Sequence, residues 1–176
     1  SGPLSALTSL AQRWAQRQGL WLDVRSKSER GHLLVRQQGA QRATRGQAPA
    51  LKAHAPADTA LRAIAGAALM QILPNAAALA SGGGGAEHVH QARIGLRRLL
   101  SVLREFGAWS ADVRPQWSDQ ASAIFKLLGQ TRDRDVLSDW ILPQLQAAGA
   151  PACEIDAEVA ATTPAQVFRS SQATAL

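Results

Sequence analysis

Within residues 87–106, EHVHQARIGLRRLLSVLREF, one protonatable and three cationic side chains recur at helical spacing: His90, Arg93, Arg97 and Arg104. At about 100° per residue, a helix gathers them onto an arc of roughly 60°. Val89, Leu96, Leu99, Leu100, Val102, Leu103 and Phe106 fill the adjoining arc, which is the face such a helix buries. The basic stripe therefore borders the core face and points along a seam between helices. Arg98 falls on another side, where it either reaches a neighbouring helix or is solvated.

Like charges three, four and seven residues apart repel one another by a few tenths of a kcal/mol per pair. A bound anion relieves that repulsion, and no acid lies between His90 and Arg104 to do so instead. Guanidinium groups stay charged and grip phosphate through paired, planar hydrogen bonds, so phosphate is the ligand this pattern suits. The competing reading is a solvated or salt-bridged surface. His88 faces the core side and reads as structural.

A second basic cluster comprises Lys126 and the run TRDRDV at 131–136, with Arg132 and Arg134. Asp133 and Asp135 are expected where a new helix starts, and either cap it or hold arginines of the preceding helix in register. Two acids alone do not make a metal site, so no metal and no cofactor is expected. The sequence has no HExxH, P-loop, GxSxG or paired-cysteine motif, and the single cysteine, Cys153, has acidic rather than activating neighbours. No catalytic residue is assigned.

The elements that must carry these residues are drawn from 176 residues, 46% of them hydrophobic and 18% charged. That is globular composition, and its alanine content favours close-packed helices. Nineteen Lys and Arg against thirteen Asp and Glu give a net charge of +6, which favours anionic partners. Residues 1–50 hold eight basic and two acidic side chains, whereas 108–176 hold five and eight. No apolar run approaches eighteen residues and no signal-peptide pattern opens the chain. A cytoplasmic protein with no membrane partner is expected, and one cysteine fits a reducing compartment.

Apolar spacing predicts a helix over 4–18, then extended segments at 20–24 and 31–35 around a basic turn. Residues 37–57, rich in Gln, Ala, Gly and Pro, read as a linker with solvated charges. Asp58 or Thr59 is expected to cap a helix that Pro74 kinks or interrupts and the glycines at 82–85 end. Helices are expected over 87–106, 115–128 and 133–145. The fold class is therefore all-α, a four-helix bundle over 58–150 with an N-terminal helix and short extended segments. Residues 151–176 are expected to begin a second bundle.

The runs EHVHQARIGLRRLLSVLREF and IFKLLGQTRDRDVL together resemble the CHAD family, the conserved histidine α-helical domain. Leu73, Pro74, Asn75 and Glu87 resemble its lead-in. The resemblance, over about 58–150, implies an all-helical domain that binds inorganic polyphosphate along a basic groove. It carries over to His90, Arg93, Arg97, Arg98, Lys126 and Arg132; Arg104 and Arg134 are added from wheel position and charge.

Residues 1–36, through RSKSERGHLL, resemble the end of a CYTH domain, the triphosphate tunnel fold, with Lys27 and Arg30 matching its basic end. The ExExK motif of that fold is absent, so the chain is expected to be at most the non-catalytic end of an inorganic triphosphatase. CHAD domains resemble two facing four-helix bundles, so this chain is expected to own half of a groove that a homodimer completes. Nucleic acid is a disfavoured partner, because no aromatic interrupts the basic stripe to stack on bases.

Overall fold

A computed structural model describes residues 4–37, 41–151, 162–170 and 173; among residues 131–139, only the side chain of Leu137 is described. Seven α-helices follow in order: α1 (Leu4–Gln18), α2 (Lys27–Val35), α3 (Ala57–Ala80), α4 (Ala86–Phe106), α5 (Gln116–Val136), α6 (Leu142–Ala147) and α7 (Pro164–Arg169). A 3-10 turn, Gly107–Trp109, closes α4, and a π-helical turn, Leu137–Ile141, joins α5 to α6. No strand occurs among the described residues.

The core lies where α3, α4 and α5 meet. Ile72 from α3, Val89, Leu96, Leu99 and Leu100 from α4, and Ile124 and Leu128 from α5 are buried together there. The all-α expectation therefore holds. The fourth position in the packing differs from the one predicted. Residues 133–145 do not form a separate helix against the other three; instead α5 runs unbroken through Gly129 to Val136 and continues into the π turn and α6. Gly129, just past the expected end at residue 128, is buried, so it serves helix packing. The fourth place is taken by α7, from a segment expected to open another bundle. It packs on α3 and α5, with Val167 fully buried in the same core.

Three further expectations are corrected. Residues 31–35 are helical: Glu29 N–H donates to Ser26 Oγ (3.2 Å) and Ser26 N–H to Glu29 Oε2 (2.6 Å). This reciprocal capping box starts α2 and overrides the β-branched residue that suggested an extended run. Residues 20–24 belong to no regular element. The first cap of α3 is Pro56, with no side-chain bond from Asp58 or Thr59 to the helix start. Nor does Pro74 interrupt α3, which continues to Ala80. Proline removes the donor that would meet the Met70 carbonyl, but Met70 is itself exposed, so water can serve that group.

The helix α3 is long and apolar enough to cross a membrane by length and composition, with a mean hydropathy of 1.5 in one window. Here its apolar surface is largely used in the core, against α4 and α7. At its C-terminal end Arg169 of α7 donates from Nε to the Ala80 carbonyl (2.7 Å) and lays its guanidinium over Trp21, 4.6 Å from the ring centroid. Nearby in sequence, Asp23 accepts from Arg25 Nε (2.9 Å) and Nη2 (2.7 Å). That paired hydrogen bond holds the Asp23 carboxyl below its usual range, with burial opposing it, and raises Arg25. Residues 20–25 are thus tied down without forming a regular element.

The helices α3 and α4 come close together at Gly95. A Cβ there would sit 2.7 Å from Ile72 Cγ1 and 3.3 Å from both the Ala68 carbonyl oxygen and the Ile72 backbone nitrogen. Two of those atoms are backbone, so the helices themselves must part to admit a methyl group. Gly95→Ala is expected to destabilise the fold by about 1–3 kcal/mol, the usual cost of overpacking. Chemical denaturation should show the lower midpoint; an unchanged midpoint would mean the crossing is looser than described.

Candidate functional site

Because α4 is flanked by α3 on one side and α5 on the other, only a narrow ridge of it faces outward. Helical phase sends Arg93 and Arg97 down the α5 side of that ridge and Arg98 down the α3 side. Each flank has its own geometry.

On the α5 side the receiving surface is Phe125, which is half-buried. The guanidinium carbon of Arg93 lies 5.0 Å from the Phe125 ring centroid, and that of Arg97 lies 5.7 Å from it. Each contact is a cation–π interaction worth about 0.5–1 kcal/mol near a surface. Gly129, one turn along α5, leaves a shelf beneath the first of them: a Cβ there would stand 3.6 Å from Arg93 Nη2. Two like charges are therefore held over one ring, which partly offsets their repulsion.

The remaining predicted residues are distributed around this pair. His90 is exposed one turn before Arg93 and makes no hydrogen bond or ion pair among the described residues. Arg104 is exposed about two turns beyond Arg97. Lys126, exposed, follows Phe125 on α5. Arg132 and Arg134 lie farther along the same helix, but their side chains are outside the described residues, as are those of Asp133 and Asp135. The two aspartates sit inside α5, so capping a new helix there is excluded.

Arg98 is not brought to the Phe125 platform. Its Nη1 donates to Gln71 Oε1 of α3 (2.9 Å); Gln71 Nε2 donates to Gln91 Oε1 (2.8 Å), and Gln91 Nε2 donates to Glu87 Oε1 (2.9 Å). An arginine can only donate and a carboxylate only accept, so the two ends orient both amides. The result is a one-way chain of hydrogen bonds from cation to anion across the α3–α4 contact, with Gln71 fully and Gln91 largely buried. His88 is also structural: Nδ1 accepts from Gly85 N–H (3.1 Å), and Nε2, the nitrogen left to carry the proton, reaches the Gln41 carbonyl (2.8 Å).

Phe125, Gln71 and Gln91 were not singled out by sequence reasoning. An aromatic partner was sought within the stripe on α4, whereas it comes from the facing helix, next to Lys126. The only local hint was that Phe125 adjoins a lysine already tied to the basic cluster. For the glutamines, which lie within long helical runs, the sequence carries no signal.

Elsewhere, Leu61, Leu69, Leu99, Leu103, Val113 and Trp117 line an apolar cavity of about 220 Å³. The Arg62–Asp112 ion pair stands at its edge. It shares no residue with the basic ridge. No group of three His, Cys, Asp or Glu side chains among the described residues is placed to hold a metal.

By fold and surface this is an all-α domain that places two guanidiniums over one ring on the same stretch of surface as an exposed histidine. Residues 63–174 match the family model of the CHAD domain, and the chain belongs to that family. Comparison with curated proteins and with solved structures found no match. The family match begins at residue 63, and nothing supports the expected CYTH tail before it.

The hydrogen-bonded chain carries a direct test. Gln71→Leu would leave the buried Gln91 Oε1 without a donor and would take from Arg98 Nη1 its acceptor. A loss of about 1–3 kcal/mol is expected, the cost of orphaned buried polar groups. Thermal unfolding would measure it, and a wild-type transition would show the network to be dispensable.

Proposed function

We propose that this chain binds inorganic polyphosphate on the α4–α5 face, with Arg93 and Arg97 as the central contacts, and does so without catalysis. The observation that carries the reading is the pairing of those two guanidiniums over Phe125. Guanidiniums that lie over a ring still carry N–H donors along their edges. Those edges match adjacent phosphate oxygens through charge-assisted hydrogen bonds.

Two facts support the polymer over a single phosphate. The ridge from His90 to Arg104 spans about four helical turns without an acid of its own, a length that suits several phosphate units. Membership in the CHAD family, which is associated with polyphosphate, agrees with that reading. In this assignment His90, Arg104 and Lys126 extend the surface on either side of the pair, with Arg132 and Arg134 farther along α5. Arg98 is assigned a structural part, through Gln71, rather than direct contact.

Binding of this kind releases counterions, so affinity should fall steeply as salt is added. The double substitution Arg93→Ala, Arg97→Ala is expected to weaken binding of tripolyphosphate and long-chain polyphosphate by at least about tenfold, or 1.4 kcal/mol. Titration calorimetry at two salt concentrations measures both effects, and an unchanged affinity in the double variant would remove the assigned site. An oligonucleotide competing equally well at matched phosphate concentration would point to generic electrostatics instead.

A further inference from the structure

Residues 41–57 contain Arg42, Arg45, Lys52 and His54 and no acid. A basic, Gly- and Pro-containing stretch of this kind would be expected to trail as a solvated linker, but its first part is fastened to the bundle. The Gln41 carbonyl meets His88 Nε2 at 2.8 Å. Three residues on, the Asn75 side chain closes on the backbone of Thr44 from both sides: Thr44 N–H donates to Asn75 Oδ1 (3.0 Å) and Asn75 Nδ2 donates to the Thr44 carbonyl (2.8 Å).

The third attachment is steric. Gly46 lies so close to the α3–α4 contact that a Cβ there would fall 2.0 Å from Arg98 Nη1 and 2.2 Å from Gln71 Oε1. Asn75 is fully buried, so its amide depends on this strap for two of its hydrogen bonds. Three anchors within six residues fix a segment that has no regular structure of its own. Between them stand Arg42 and Arg45, both exposed and neither in an ion pair among the described residues.

Arg97 and Arg98 are neighbours in sequence and leave α4 on opposite sides of its ridge. Arg98 leads to the strap at Gly46, and Arg97 leads to Phe125. The two basic edges are thus separated by one helix, about 10–12 Å across with side chains. A long anionic chain can cross that ridge and engage both. Because the strap is already ordered, Arg42 and Arg45 bind without the entropy loss of fixing a free linker.

We infer that residues 41–46 form a second anion-binding edge, in which Arg42 and Arg45 hold the continuation of a polyphosphate chain seated on Arg93 and Arg97. This rests on the function proposed above and assigns to it a preference for long chains. A short phosphate oligomer occupies the α5 edge alone.

The test uses the full chain and four proteins: the unmodified form, Arg42→Ala with Arg45→Ala, Arg93→Ala with Arg97→Ala, and Arg13→Ala with Arg17→Ala on α1 as a charge-matched control. Each is titrated with tripolyphosphate and with long-chain polyphosphate. The strap variant is expected to lose at least about threefold in affinity for the long chain, while binding tripolyphosphate as before. Its salt dependence should become shallower by roughly one unit of slope per arginine removed, as for phosphate contacts in nucleic-acid complexes.

Unchanged long-chain affinity in the strap variant would overturn the inference, as would an equal loss in the α1 control. If the Arg93, Arg97 variant alone loses affinity, the proposed function stands and the second edge falls. If the strap variant alone loses long-chain affinity, the α5 edge is the part that falls.

Discussion

The separation between α3 and α4 at Gly95 sets what the other elements can do. With no side chain at that position, Ile72 and the backbone at Ala68 come against α4 directly. The same closeness brings Gln71 within hydrogen-bonding distance of both Gln91 and Arg98. It also leaves α4 with a narrow outward ridge, since its other side is closed by α5. Were the crossing wider, Arg98 would lose its acceptor on Gln71 and the strap at Gly46 would lose the surface on which it rests. The basic face therefore owes its shape to an apolar contact on the other side of the helix.

Charge placement on α4 follows a division of labour that a helical wheel describes only in part. Arginines close together in water would cost free energy through repulsion, and the structure meets that cost differently on each flank. Toward α5, Arg93 and Arg97 share an aromatic ring, a partner that attracts cations without neutralising them. Toward α3, Arg98 is anchored by a neutral amide. Arg98 thus keeps its place without a carboxylate of its own among the described residues. At Asp23 and Arg25, by contrast, a carboxylate answers the charge directly.

Much of this was legible in the sequence where the signal was periodic. The limits of α4, its core face and the common flank of His90, Arg93 and Arg97 follow from 3.6-residue spacing and a glycine stop. Failures came where tertiary contact outweighed a local cue. Separate helices were expected over 115–128 and 133–145, yet Gly129 is buried beside Arg93 and α5 passes through it. Pro74 suggested a break, yet burial of the residues around it keeps α3 whole. Residues 41–47 read as a linker because their attachment depends on Asn75 and His88, 31 and 47 residues away from their partners. Phe125 was invisible as a platform for the same reason, since a ring on α5 acquires that role only once the arginines of α4 lie above it.

The one-way order of the Arg98, Gln71, Gln91 and Glu87 bonds has a chemical corollary. Each glutamine works as a translator, offering oxygen toward the arginine and nitrogen toward the acid. Deamidation at Gln71, which exchanges a single NH2 for oxygen, would set two acceptors face to face across the 2.8 Å gap to Gln91. Nothing in volume or shape would change, yet the message passed between the two helices would be reversed at its midpoint. Chemical ageing at this one buried amide would therefore be felt in both helices.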